Sequence, residues 1–303
     1  MPESLLRRKL DRREFFVAPG IPDMMTALLA RDIGFELVYG TGFWLTASAY
    51  GLPDAGLATY TQMLDRMTTL RKISGATVIG DADTGYGGLL NVHHTVRGYE
   101  AAGVAGIQIE DQEFPKKCGH TPHKRLISTD EMVQKIRVAC AARQDPSHTV
   151  IIARTDARER EGIHGAIHRA LAYADAGADM LFVEAPRDEM EMRLACREIA
   201  KPMLVNMVEG GRTPLYSAAQ LSDMGYAGAI FPSSCALAAN EAVARVLRLL
   251  KEAGTSLSPT VPLYNFTTFC RLIGMDDVLA FEKKWGITDV AAAADPTATS
   301  AKT

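Results

Sequence analysis

The chain has 303 residues, 47% hydrophobic and 23% charged, an ordinary globular composition that excludes wholesale disorder. A net charge of −3, from 33 basic and 36 acidic residues, excludes the basic excess of a binder of nucleic acid or anionic membrane. There is no run of 18 apolar residues to suggest a spanning helix. Met1-Pro2-Glu3-Ser4, followed by Arg7, Arg8 and Lys9, lacks the apolar stretch of a secretory signal. Five scattered cysteines (Cys118, Cys140, Cys196, Cys235 and Cys270) form no CxxC pair. Neither a disulfide framework nor structural zinc is expected, and the expected location is a reducing cytoplasm.

Eight short apolar, β-branched runs recur along the chain, at 15–20, 35–40, 77–85, 106–112, 149–157, 180–186, 202–210 and 227–234. They are spaced about 30 residues apart, the length of a βαβ unit. Amphipathic stretches at 22–33, 60–73, 92–102, 129–142, 164–176, 189–199, 217–224 and 236–253 alternate with them. Ser128 or Thr129 before Glu131 reads as a helix start, and Gly34, Gly103, Gly177 and Gly225 fall just past helix ends. Eight βα units predict an α/β fold of the (β/α)8 type, a TIM barrel, with a doubly wound open sheet as the alternative. Two further helices are expected at 262–273 and 276–285. The expected division is 1–260 for the catalytic barrel, 261–286 for a helical extension and 287–303 for a disordered tail rich in Ala, Thr, Asp and Ser.

In a parallel barrel the chemistry sits where the strands end. The third run ends in Gly80-Asp81-Ala82-Asp83-Thr84-Gly85-Tyr86-Gly87 and the fourth in Glu110-Asp111-Gln112. The fifth holds Arg154-Thr155-Asp156, the sixth Glu184, and the seventh Asn206 and Glu209. Strand alternation puts Asp81 and Asp83 on one face, and likewise Ile152, Arg154 and Asp156. Paired carboxylates need a compensating cation, and their hard oxygens suit Mg2+ or Mn2+; solvated, helix-capping loops are the plainer alternative. Cys118, in Lys116-Lys117-Cys118-Gly119-His120, stands beside cations that favour a thiolate. It reads as a nucleophile, an acid or a base, or as an incidental residue of a basic loop. Core filling suits Cys140, Cys196 and Cys270, and a helix surface suits His93 and His94.

In joint order and spacing, these motifs resemble the isocitrate lyase/phosphoenolpyruvate mutase superfamily. The carriers are Asp81–Gly87, Ile109–Gln112, Lys116–His120, Ala153–Ala157 and Val205–Gly211, with support from Tyr39–Gly42 and Gly51–Asp54. The resemblance implies a modified barrel whose terminal helices are exchanged between subunits, usually in a homotetramer. It also implies Mg2+ held near Asp81 and Asp83, with Asp54 and Glu110 acting partly through water. The substrate-contacting set it implies is Thr41, Gly42, Gly119, His120, Glu184 and Asn206, with Cys118, Tyr39 and Arg154 catalytic.

The Lys-Lys-Cys-Gly-His form is that of the carbon–carbon lyases rather than the phosphonomutases. It implies cleavage of the C2–C3 bond of a small 2-hydroxy dicarboxylate, with Cys118 protonating the departing fragment. Tyr39 or a metal-bound water would be the base. Val208-Glu209-Gly210-Gly211 resembles dimethylmalate lyase, petal death protein and oxaloacetate hydrolase. The similar methylisocitrate lyases carry Thr-Glu-Phe-Gly there, and arginines near Leu237 and Tyr264. Thr41 replaces the family's usual serine, and Phe43 a commonly small residue. Alkylmalate cleavage is therefore expected. Methylisocitrate cleavage, oxaloacetate hydrolysis and a phosphonomutase reaction are the alternatives. A small carboxylic acid is the expected partner, with no nucleic acid and no membrane.

Overall fold

All eight apolar runs become strands in a computed structural model of the chain, which describes residues 2–119, 121 and 123–286; the tail expected at 287–303 lies outside the described residues. The described chain divides into two compact units, one through Ala244 and one from Arg245 onward.

The first unit runs α1 (Leu5–Asp11), β1 (Phe16–Ile21), α2 (Met24–Ile33), β2 (Leu37–Gly40), α3 (Gly42–Tyr50), α4 (Tyr60–Ser74), β3 (Thr77–Asp81) and α5 (Leu89–Ala101). It continues through β4 (Gly106–Glu110), α6 (Thr129–Ala142), β5 (Val150–Thr155), α7 (Arg158–Asp175), β6 (Met180–Val183) and α8 (Glu189–Glu198). β7 (Met203–Asn206), α9 (Ala218–Met224), β8 (Gly228–Phe231) and α10 (Ser234–Ala253) follow, α10 continuing in sequence into the second unit. That unit also holds α11 (Phe266–Leu272) and α12 (Met275–Trp285).

The strands close in chain order into one parallel barrel, with β1 pairing both β2 and β8. Closure sets aside the open-sheet alternative. β2, β4, β5, β6 and β7 are buried at every position, as parallel strands covered on both faces should be. Capping boxes start α4 (Thr59 with Gln62), α6 (Ser128 with Glu131) and α9 (Ser217 with Gln220), so the helices begin where the sequence signals them. α7 begins earlier than expected, but Gly162 breaks its helical conformation just before the predicted start.

Two apolar clusters build the core. One lies between strands and outer helices; the other joins inward strand residues such as Phe16, Leu37, Ile79, Val150, Ile152, Phe182 and Leu204 with Leu6 and Leu10 of α1. Leu6 lies so close to Gly106, the first residue of β4, that a Cβ there would meet its Cδ2 at 2.8 Å. α1 therefore packs at the N-terminal end of the strands and leaves the other end for chemistry. The Arg7 guanidinium fixes it by donating to Asp179 Oδ1 at 3.1 Å and to the Thr149 carbonyl at 3.2 Å.

Candidate active site

A cavity of about 230 Å3 opens at the C-terminal end of the strands. Its polar lining comes from Tyr39, Thr41, Asp54, Asp81, Lys116, Arg154, Glu184, Asn206 and Glu209, with Cys118 and Gly119 beside them. Phe43, Trp44, Val208, Ile230, Pro232 and Leu237 supply its apolar lining. Of the residues predicted for the site, Gly42, Asp83 and Glu110 lie directly behind this lining through their bonds to it, and His120 lies outside the described residues.

Asp81 and Asp83 do come together, but not by strand alternation. β3 stops at Asp81, and Asp83 takes a left-handed backbone with φ 49°, a conformation Asp tolerates better than most residues. Its N–H donates to Asp81 Oδ1 at 3.0 Å, so a turn rather than pleating pairs the two. Gly42 N–H donates to Asp81 Oδ2 at 3.3 Å. A Cβ on Gly42 would meet that oxygen at 2.8 Å, so only glycine lets the start of α3 come this close.

Lys116 carries the positive charge nearest these carboxylates. Its Nζ lies 2.5 Å from Asp54 Oδ1 and 2.7 Å from Asp83 Oδ1, and the residue is 3% exposed. Burial opposes its charge, but Asp83 and Asp54 outweigh burial and hold the ammonium pKa well above its usual value. Burial pushes Asp83 up to about 6 against the pull of Lys116, with Asp81 and Asp54 adding to the rise. Glu110 is raised well above the usual carboxylate range, again by burial first, with Arg154 opposing.

Arg154 is clamped. Nε donates to Asp156 Oδ2 at 2.9 Å and Nη2 to Asp156 Oδ1 at 3.0 Å, a bidentate pair. Nη2 also lies 3.2 Å from Glu184 Oε2, and Nε 3.5 Å from Glu110 Oε2. Nη1 enters none of these pairs among the described residues. Asp156 is in turn held by Lys124 Nζ at 3.3 Å. Its backbone N–H donates to Asp111 Oδ1 at 2.9 Å. A Cβ on Gly119 would collide with Arg154 Nη2, so the backbone next to Cys118 reaches the guanidinium only as glycine.

Tyr39 donates its hydroxyl to Gln108 Oε1 at 3.1 Å, and Gln108 Nε2 donates to Asp81 Oδ1 at 3.3 Å. Burial, followed by Asp81, holds the Tyr39 pKa well above its usual value. Asn206 Nδ2 donates to Glu184 Oε2 at 3.1 Å, and Ala185 N–H to Glu184 Oε1 at 2.9 Å. At the apolar side, Trp44 Nε1 donates to Ser233 Oγ at 3.1 Å and ties α3 to the start of α10.

Among the described residues, six carboxylates (Asp54, Asp81, Asp83, Glu110, Asp156 and Glu184) thus face three cations, Lys116, Lys124 and Arg154. Glu110 Oε1 is buried with no hydrogen-bond partner among the described residues. Both observations fit a site that accepts further positive charge, and all-oxygen donors suit a hard divalent cation. Among the described residues, no three His, Cys, Asp or Glu side chains converge closely enough to hold a metal as they stand.

The sequence reading passed over Lys116, Asp156, Lys124 and Trp44 as site residues. The signal for Lys116 was its place in the cysteine motif. The signal for Asp156 was its shared strand face with Arg154.

Comparison with known proteins places this geometry. A family model described as phosphoenolpyruvate phosphomutase matches residues 6–251, most of the chain. The chain belongs to that family. This member is 42% identical over 280 residues to the 2,3-dimethylmalate lyase of Eubacterium barkeri, covering 92% of this chain and 96% of that protein. It is also 42% identical over 283 residues to the 2-methylisocitrate lyase of Aeropyrum pernix, covering 93% and 90% respectively. The solved structure of oxaloacetate acetylhydrolase with the inhibitor 3,3-difluorooxalacetate superposes with a TM-score of 0.87 at 34% identity, covering 93% of this chain and 96% of that one. Both sequence relatives are lyases of the family, and Lys116, Cys118 and Gly119 of the lyase-form motif line this member's cavity.

Proposed function

We propose that this chain cleaves the C2–C3 bond of a small 2-hydroxy dicarboxylate of the alkylmalate type, releasing an α-keto acid and a carboxylate. The observation that carries this reading is the mixed lining of one small cavity. Arg154, Asp54, Asp81 and Glu184 line it together with Phe43, Trp44, Val208, Ile230, Pro232 and Leu237. A malate bearing alkyl groups matches both kinds of lining. A third carboxylate would be desolvated beside Leu237.

Each residue has a task in this reading. Asp54, Asp81, Asp83 and Glu110 would hold a divalent cation, Mg2+ or Mn2+. When bound, such a cation stabilises the charge developing on the keto-acid oxygens. Arg154, oriented by its fork on Asp156, supplies the cation for the adjacent carboxylate, and Thr41, Gly42, Gly119, His120, Glu184 and Asn206 complete the substrate contacts. Tyr39 is held as the phenol and donates its hydroxyl to Gln108 Oε1, which would leave its oxygen as an acceptor to orient the C2 hydroxyl. The raised pKa of Tyr39 disfavours it as the base, so the C2 hydroxyl proton goes to a water in the site and from there to solvent. The electron pair of the C2–C3 bond moves toward C3, and the Cys118 thiol delivers a proton there. Solvent then restores the thiol. The apolar lining keeps water from the carbanionic fragment until that proton arrives.

Cleavage of 2-methylisocitrate is a second reading, favoured by the likeness to the Aeropyrum pernix enzyme. Hydrolysis of oxaloacetate is a third, favoured by the likeness in structure to the acetylhydrolase. A panel of small acids, assayed for pyruvate, oxalate and phosphonate products, separates these and the phosphonomutase alternative. Oxalate as the main product would replace the lyase reading.

The same reading includes an even-numbered oligomer, a homotetramer with exchanged terminal helices. α11 and α12 bury no residue of their own, and Phe266, Phe281 and Trp285 are each more than half exposed. Sedimentation should give a tetramer; a stable, active monomer contradicts it. No helix among the described residues is long and apolar enough to cross a membrane. A cytoplasmic location is part of the proposal.

A further inference from the structure

The strand-end segment Ile109-Glu110-Asp111-Gln112 contributes Glu110 to the carboxylate cluster, but nothing so far uses Gln112. It is 1% exposed, and its side chain meets the backbone of a single residue. Nε2 donates to the Lys117 carbonyl at 2.8 Å, and Oε1 accepts the Lys117 N–H at 3.0 Å. One side-chain amide thus meets both hydrogen-bonding groups of the residue directly before Cys118.

The backbone of Gln112 is itself fixed. Gln112 and Leu126 form an antiparallel bridge, Glu113 N–H donates to the Arg125 carbonyl at 2.9 Å, and Ile127 N–H donates to the Asp111 carbonyl at 3.0 Å. On the other side of Lys117, Lys116 is anchored in Asp54 and Asp83. After the thiol, Gly119 offers its carbonyl to Lys124 Nζ. The approach to Cys118 is therefore tied at three successive points, and the middle tie is Gln112.

We propose that Gln112 is a positioning residue for the proton-delivering thiol: its amide fixes the Lys117 backbone and thereby places Cys118 at the cavity. This rests on the reading of Cys118 as the acid. Gln112 touches neither substrate nor the reacting atoms, so its effect must appear in the position of Cys118 and not in substrate affinity. Gln112→Met keeps the volume and removes both hydrogen bonds. A misplacement of about 1 Å costs on the order of 10²-fold in rate.

The test uses the full chain with the acid it cleaves, and compares Gln112→Met, Gln112→Glu and Cys118→Ala with the parent. The first readout is the split between kcat and KM. The second is the rate at which iodoacetamide alkylates Cys118, followed on its own peptide. Both Gln112 variants should lose roughly 10–100-fold in kcat with KM within about threefold, and the Cys118 alkylation rate should shift several-fold. Gln112→Glu serves if Gln112→Met does not fold, because it keeps the acceptor and loses only the donor. An unchanged kcat or an unchanged alkylation rate in a folded variant overturns the proposal. Parental turnover in Cys118→Ala would instead refute the acid assignment, while the alkylation rate still reports whether Gln112 places the thiol.

Discussion

At the N-terminal end of the barrel, Leu6 and Leu10 of α1 pack with Phe16, Leu37 and Val150, and all five are buried. At the opposite end the barrel strands carry Asp81, Glu110, Arg154 and Asn206, buried as well but crowded with charge. The first end is held by apolar contact and by the pairing of Arg7 with Asp179. The second leaves Asp83 and Glu110 with raised proton affinity, an arrangement that costs stability and that a bound cation would relieve. Substitutions at the two ends should therefore fail in different ways.

The largest effect expected is on the charged end. A chelator should abolish activity, and Mg2+ or Mn2+ should restore it, because the carboxylate cluster exceeds its own cations. Undiminished turnover by metal-stripped protein removes the cation from the account. Next, Cys118→Ala should lose about 10²–10⁴-fold in turnover, the scale of a lost general acid, with little change in melting temperature. A drop in stability with normal turnover would make Cys118 a packing residue. The smallest effect on activity belongs to the apolar end. Leu6→Ala should cost about 2–5 kcal/mol of stability, read by denaturant unfolding, and leave kcat near the parent value. A large loss of kcat at parental stability would show that the two ends are not separable.

The strands were the most legible feature of the sequence. Their apolar runs are short, continuous and evenly spaced, and each became a barrel strand. Two helices escaped the sequence reading for opposite reasons. α1 is only about two turns long and crowded with Arg7, Arg8 and Lys9, while α3 opens with a glycine and is apolar almost all round. Neither presents a clear 3.6-residue period. The exposure of His93 and His94 on α5 matches the surface role expected of them, and Cys140, Cys196 and Cys270 are half-buried rather than fully in the core.

At the site, the polar strand ends announced most of the participants, but not their pairing. Period two predicted a shared face for Asp81 and Asp83, whereas the turn at Asp83 accomplishes it by a left-handed backbone. The clamp of Lys116 on Asp54 joins residues 62 positions apart, which no local pattern could reveal. Leu237 was flagged by an absent arginine and does line the cavity.

That leucine makes the central claim directly measurable. A charge-assisted hydrogen bond to a carboxylate contributes roughly 1.5–3 kcal/mol, so its loss corresponds to about 10–100-fold in binding. The decisive measurement is kcat/KM for 2,3-dimethylmalate and for 2-methylisocitrate under one set of conditions. The account predicts a preference of at least about tenfold for dimethylmalate. Equal or greater efficiency with 2-methylisocitrate would contradict it.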